Sequence, residues 1–135
     1  MSCRALELCD QLLPVVQTVF PQAKVDLMPA MALDAIHDLE VSVTPEGLVS
    51  TYQTRGAVDT EVTAGIAAVQ HVVEPAAIRA LLNQMELLFD AIKFLNLPIG
   101  VVTAFRNQPI YDLDLLRSDR VFLSVIDVTV TARKG

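Results

Sequence analysis

Positive charge, glycine, cysteine and histidine are all scarce in this chain of 135 residues, and each scarcity removes a class of function. Ten Lys and Arg stand against sixteen Asp and Glu, a formal net charge of −6. The basic residues are scattered, and Arg133-Lys134 is only a tail. Binding nucleic acid by neutralising phosphates needs clustered cations, so that mode is excluded. The five glycines form neither G-x-G-x-x-G nor G-x-x-x-x-G-K, which excludes the common phosphate-cradling loops.

Cys3 and Cys9 are the only cysteines. Their spacing carries them about 600° around a helix, onto different faces. They make neither a metal pair nor a redox pair, and as thiols they suit a reducing cytoplasm. His37 and His71 are the only histidines, and neither has a nucleophile in a setting such as G-x-S-x-G. An acid–base pair of His37 with Asp34 or Asp38 has only adjacency in its favour. His71, near a strand end, reads as a half-buried packing or hydrogen-bonding residue.

Long apolar runs are missing too. The longest charge-free stretch, between Asp10 and Lys24, holds about 13 residues and two prolines, short of the ~20 a spanning helix needs. Glu7 and Asp10 interrupt any secretory leader. The expectation is a soluble protein that is not secreted and has no membrane partner.

What the chain does have is aliphatic surface. Hydrophobic residues make up 53% of it, above the ordinary ~45–50%. One domain spanning residues 1–135 would bury about two-thirds of its unfolded surface, and the apolar excess points to a homo-oligomer or a larger assembly.

Ser2 is a candidate N-cap for a first helix whose apolar face carries Ala5, Leu8, Cys9, Leu12, Val16, Val19 and Phe20. Pro14 predicts a kink, or an end near Leu13. Residues 24–28 read as a short strand and 39–44 as another, closed by a turn at Pro45-Glu46-Gly47. Residues 48–53 suggest a further strand, with a turn near Arg55-Gly56. Residues 58–73 alternate cleanly, Val62, Ala64, Ile66 and Ala68 on one face and Asp59, Glu61, Thr63 and Gly65 on the other.

Glu74-Pro75 opens the main helix, 74–95, with Ile78, Leu81, Leu82, Met85, Leu88, Phe89, Ile92 and Leu95 at helical spacing. Strands at 100–107 and 120–133 follow, joined by an acidic loop or short helix. The order α-β-β-β-α-β-β predicts the α+β class. In it an antiparallel or mixed sheet, of about four main strands plus a β-hairpin, carries two helices packed on one face.

Several local segments resemble the small tail-terminator (tail-completion) proteins of long-tailed bacteriophages. They are Leu-Glu-Val-Ser-Val-Thr-Pro-Glu-Gly at 39–47, the long hairpin with Arg55-Gly56 near its tip, and the Glu/Pro-initiated helix. The last is Pro-Ile-Tyr-Asp-Leu-Asp-Leu-Leu at 109–116, running into Val-Phe-Leu-Ser-Val-Ile-Asp-Val-Thr-Val at 121–130. The resemblance spans nearly the whole chain but includes no chemical signature. It implies a structural virion protein of the phage neck, assembled in the host cytoplasm. Such a protein forms a hexameric ring on the last disc of tail-tube protein, ends tube polymerisation and offers a surface to the head-side connector. It implies no catalysis and no cofactor. Head–tail connector and head-completion proteins look alike at this level. A small oligomeric enzyme or ligand-binding domain, the alternative from another class, would need a polar pocket converging on His37 or Asp112.

Within that reading, candidate contact regions are residues 29–38, 46–57 and 109–119, with Met28, Met31, Glu46, Tyr52, Arg55, Tyr111 and Asp112 as candidate interface residues. Residues 46–57 are long for a hairpin connection and so are expected to be mobile in the free subunit. DNA would pass through the ring without specific binding. Six copies at −6 each would carry −36 formal charges, and Asp59 and Glu61 are the candidate lumen-lining residues. Asp112-x-Asp114 has a metal-binding look, but no third ligand or glycine turn follows. Asp112 reads better as a helix cap, with Asp114 in the first turn and Arg117 nearby. Tyr111 and Phe122 have no basic surround and read as packing rather than as base-stacking residues.

Overall fold

The computed structural model describes residues 3–27, 39–54, 57–72, 74–93 and 95–132, with 51–54 and 57–59 described through their backbone. The elements are α1 (Arg4–Gln17), β1 (Lys24–Val25), β2 (Glu40–Thr54), β3 (Ala57–His71), α2 (Pro75–Ile92), β4 (Gly100–Arg106), α3 (Leu113–Asp119) and β5 (Val121–Ala132). One mixed sheet runs β1-β2-β3-β5-β4, parallel only between β1 and β2. The α+β class and the helices on one face are as the sequence predicts.

The alternation in β3 sets the layers. Val62, Ala64, Ile66 and Ala68 are all fully buried and meet the inward residues Ile126, Val128 and Val130 of β5 and Val41 and Val43 of β2. Onto this face α1 brings Leu8, Cys9, Leu12 and Val16, and α2 brings Met85, Leu88 and Ile92. α1 lies over β2 and β3, and α2 over β4 and β5. Each large side chain so buried contributes roughly 1.5–3 kcal/mol before entropy. A smaller cluster of Val72, Leu81 and Phe122, flanked by Tyr111 and Leu116, fixes α3 near the start of α2.

Of the two alternatives at Pro14, an end near Leu13 is ruled out: α1 continues through Pro14 to Gln17, because Val16 and, just beyond the helix, Phe20 lie on its buried face and hold the last turn to the core. Two expectations are corrected. Pro45-Glu46-Gly47 is no turn: β2 runs through it as a bulge, with Pro45 opposite Ala64 and Gly47 opposite Thr63. A proline has no N–H for the ladder, and a bulge is where a strand tolerates that. The described residues of 46–57 are therefore mostly ladder, paired as far as Thr54 with Ala57, and not the long connection expected. The mobility expected of them loses its basis.

Beyond the bulge the β2–β3 hairpin outruns the helices. Leu48 and Val49 are 52% and 57% exposed and Ser50 is exposed. The seven residues from Leu48 to Thr54 make an arm roughly 20 Å long at strand rise.

Candidate functional site

With α1 and α2 on one face, the other face of the sheet carries the outward side chains of β2, β3, β4 and β5. Its centre is polar. Thr63 and Thr129 are cross-strand neighbours with their hydroxyl oxygens 3.1 Å apart. Beside them the bulge releases Glu46 from the strand alternation, and its carboxyl lies over Gly65, where any Cβ would collide with it. It reaches Asp127, the β5 partner of Gly65, and the two side chains are hydrogen-bonded. Arg106 on β4 stands opposite Asp127 in the ladder, and Glu61 is exposed further along β3.

Two carboxyls share a hydrogen bond only if one keeps its proton. Burial first, then the bond to Asp127 and the repulsion from its charge, push Glu46 up to about 7. A raised carboxyl stabilises the fold most below its unfolded value of ~4.3, and the contribution is lost as pH rises through the folded value. Stability from this pair is thus expected to fall between about pH 4.3 and pH 7. Glu46 is exposed as a residue, and solvent screening limits the loss to about 1 kcal/mol. Glu46→Gln keeps a neutral partner for Asp127 at every pH, so urea unfolding of this variant should show that part of the slope removed.

The other candidate residues lie apart from this pair. Asp112 caps α3, its Oδ1 accepting the Leu115 N–H at 3.0 Å, as its sequence context predicts. Tyr111 stacks on the fully buried Phe122 with ring centroids 5.9 Å apart, which is packing. Tyr52 and Asp59 are placed by backbone pairing alone, opposite Val58 and Thr51. Glu61 stands opposite Val49 and Thr131. His71 ends β3, half-buried, opposite Val121. Met28, Met31, His37 and Arg55 lie outside the described residues. Among the described residues no three His, Cys, Asp or Glu side chains converge as a metal site would require. Cys9 is buried in the core, and its thiol is pushed up to about 11, first by that burial and then by Asp10. A thiol so held is a poor nucleophile.

The fold is similar to a chain in the virion of a native gene transfer agent particle. The TM-score is 0.50 at 14% sequence identity, covering 87% of this chain and 85% of that one. This is a likeness of fold. No family model matches the chain, and no curated protein matches it. Among the described residues, no helix is long and apolar enough to cross a membrane.

Sequence reasoning chose Glu46 as a contact residue but missed its pairing with Asp127. Two signals were available: a glycine inside an alternating strand, which often marks a close approach, and an aspartate inside the apolar run of β5.

Proposed function

We propose that this chain is a structural subunit of a phage-type virion and that it sits at the neck as the tail terminator. The observation that carries the virion part of the reading is the match along 87% of the chain to a chain of a gene-transfer-agent virion. The local segments that resemble tail-terminator proteins point the same way.

The hairpin arm supports an assembly role. From Gly47 to Thr54 it carries no charged residue, and it exposes Leu48 and Val49. β1 pairs with β2 only at Ser42 and Val43, so among the described residues the outer edge of the arm has no strand beside it. Isolated proteins usually blunt such an edge with charge or proline. A ring subunit instead gives it to a neighbour. In this reading six copies form a ring on the last disc of tail-tube protein, end its growth and meet the head-side connector. The protein contributes no catalysis and needs no cofactor. DNA passes through an acidic lumen, with Asp59 and Glu61 on the arm facing it and repelling phosphate. The lumen assignment stands or falls with the ring.

Antibody labelling on electron micrographs of headless tails and tailless filled heads from the source particle tests the placement. Label at the head-proximal end of isolated tails is the expected result. Label confined to heads would make the chain a connector or head-completion protein. Label on neither would end the neck reading.

A further inference from the structure

A groove of about 320 Å³ opens between α2 and the segment following β4. Its apolar part is built from Met85, Phe89, Leu82 and Ile110. Met85 is buried, and Phe89 is braced by Phe105 with ring centroids 4.5 Å apart. Ile110, by contrast, is 56% exposed, a large aliphatic side chain left open to water.

The polar lining is mainly of one kind. The Asn107 side-chain amide donates to the Val125 carbonyl at 2.7 Å and to the Ser124 hydroxyl at 3.0 Å. A main-chain carbonyl only accepts, so this contact identifies which end of Asn107 is nitrogen, and both amide hydrogens are used. That leaves the Oδ1 free to accept, on a residue that lines the groove. Glu86 adds a carboxylate, exposed and without an ion pair among the described residues; the α2 carboxylate that is paired is Asp90, with Lys93 at 2.9 Å. Asn83 also lines the groove and can either donate or accept.

An apolar floor beside a fixed carbonyl and a free carboxylate is complementary to a long aliphatic stem ending in a cation with several donors. Arginine fits better than lysine, because its planar fork can meet two separated acceptors at once while its stem covers apolar surface. We propose that this groove is a docking site for an arginine side chain presented by a partner protein. The charge complementarity is local, with Glu86 at the site, and global, with the chain at −6. The proposal does not depend on the neck reading and is tested without a virion.

The experiment is a two-dimensional amide NMR titration of the full chain with N-acetyl-arginine amide, alongside the lysine and norleucine amides. Arginine should shift amides of residues 82–89 and 107–110 and bind several-fold more tightly than either comparison compound. Glu86→Gln should leave the free spectrum in place and weaken arginine binding by roughly tenfold, the size expected for one charge-assisted contact. Equal binding of norleucine would reduce the groove to an apolar dimple and overturn the proposal. So would arginine shifts elsewhere, no shifts at all, or an unchanged affinity in Glu86→Gln. Groove shifts that appear on concentrating the protein without any probe would assign the groove to a second copy of the chain, and would overturn it equally.

Discussion

Gly100→Ala is expected to destabilise the protein by about 2–3 kcal/mol, although the same change in an ordinary strand position stabilises by about 0.5–1 kcal/mol. Gly100 opens β4 opposite Ala132, and a Cβ there would run into the main-chain carbonyl of Thr131 and the side chain of Val130. Neither can move cheaply. The Thr131 carbonyl belongs to the sheet backbone, and Val130 is fully buried. Gly100 itself is pinned on both sides: its N–H donates to the Leu97 carbonyl at 3.0 Å, and its carbonyl accepts from the Leu97 N–H at 2.9 Å. Gly65→Ala is the control. The nearest atoms its Cβ would meet all belong to the side chain of Glu46, which is flexible and can swing into solvent. That variant should stay within about 0.5 kcal/mol of the parent and lose the pH slope assigned to Glu46 and Asp127. Urea unfolding at about pH 5 and about pH 8 separates the cases. Equal losses at both glycines would mean that the close approach at Gly100 is absorbed by the backbone.

These two glycines also show where sequence reading stops. Gly65 sits in a strand that periodicity finds without difficulty, since alternation of Val62, Ala64, Ile66 and Ala68 is a local signal, and Gly100 opens a strand the sequence also suggests. The same holds for α2, whose buried Leu81, Met85, Leu88 and Ile92 follow helical spacing. The cap at Asp112 is local too. What passes over or beside a glycine is decided by pairing between distant segments. The placement of β5 between β3 and β4 is such a fact, and it is what brings Asp127 beside Gly65 and within reach of Glu46. Pro45-Glu46-Gly47 departs from its local signal for the same reason. Its local chemistry favours a turn, but residues on both sides of it find partners on β3, and a one-residue bulge costs less than abandoning that ladder. At Pro14 the burial of Val16 and Phe20 likewise overrides a local helix breaker. Of the candidate interface residues, Glu46, Tyr111 and Asp112 have described side chains, and each makes a contact within the subunit: Glu46 with Asp127, Tyr111 with Phe122, and Asp112 with the Leu115 N–H. The groove was not legible, because its walls come from α2 and the segment after β4 and no single stretch announces it.

Phe122→Ala is expected to cost about 3–5 kcal/mol and, beyond that, to detach α3 from the rest of the molecule. Phe122 is fully buried in the smaller cluster, where Val72 and Leu81 are its buried companions and Tyr111 and Leu116 press from the α3 side. α3 has seven residues and no buried residue of its own, so it is far too short to persist unaided. Its anchors are the Tyr111–Phe122 stack, Leu116 in the cluster, and the Asp112 N–H bonded to the Leu123 carbonyl at 3.0 Å. Removing the ring empties the space that two of these anchors share. Hydrogen exchange gives the readout. The amides of Leu115 and Leu116, bonded to the Asp112 side chain and carbonyl, should exchange far faster than the global loss explains, while amides of β3 and β5 follow the global loss alone. Leu88→Ala removes a comparable volume from the main core and should speed all of these amides together. The contrast bears on the contact region proposed at residues 109–119, because the α3 part of it is held in place by the cluster around Phe122. If the α3 amides keep their protection in Phe122→Ala, the capping bond at Asp112 and the strand contact at Leu123 are sufficient anchors, and the smaller cluster is not what presents this surface.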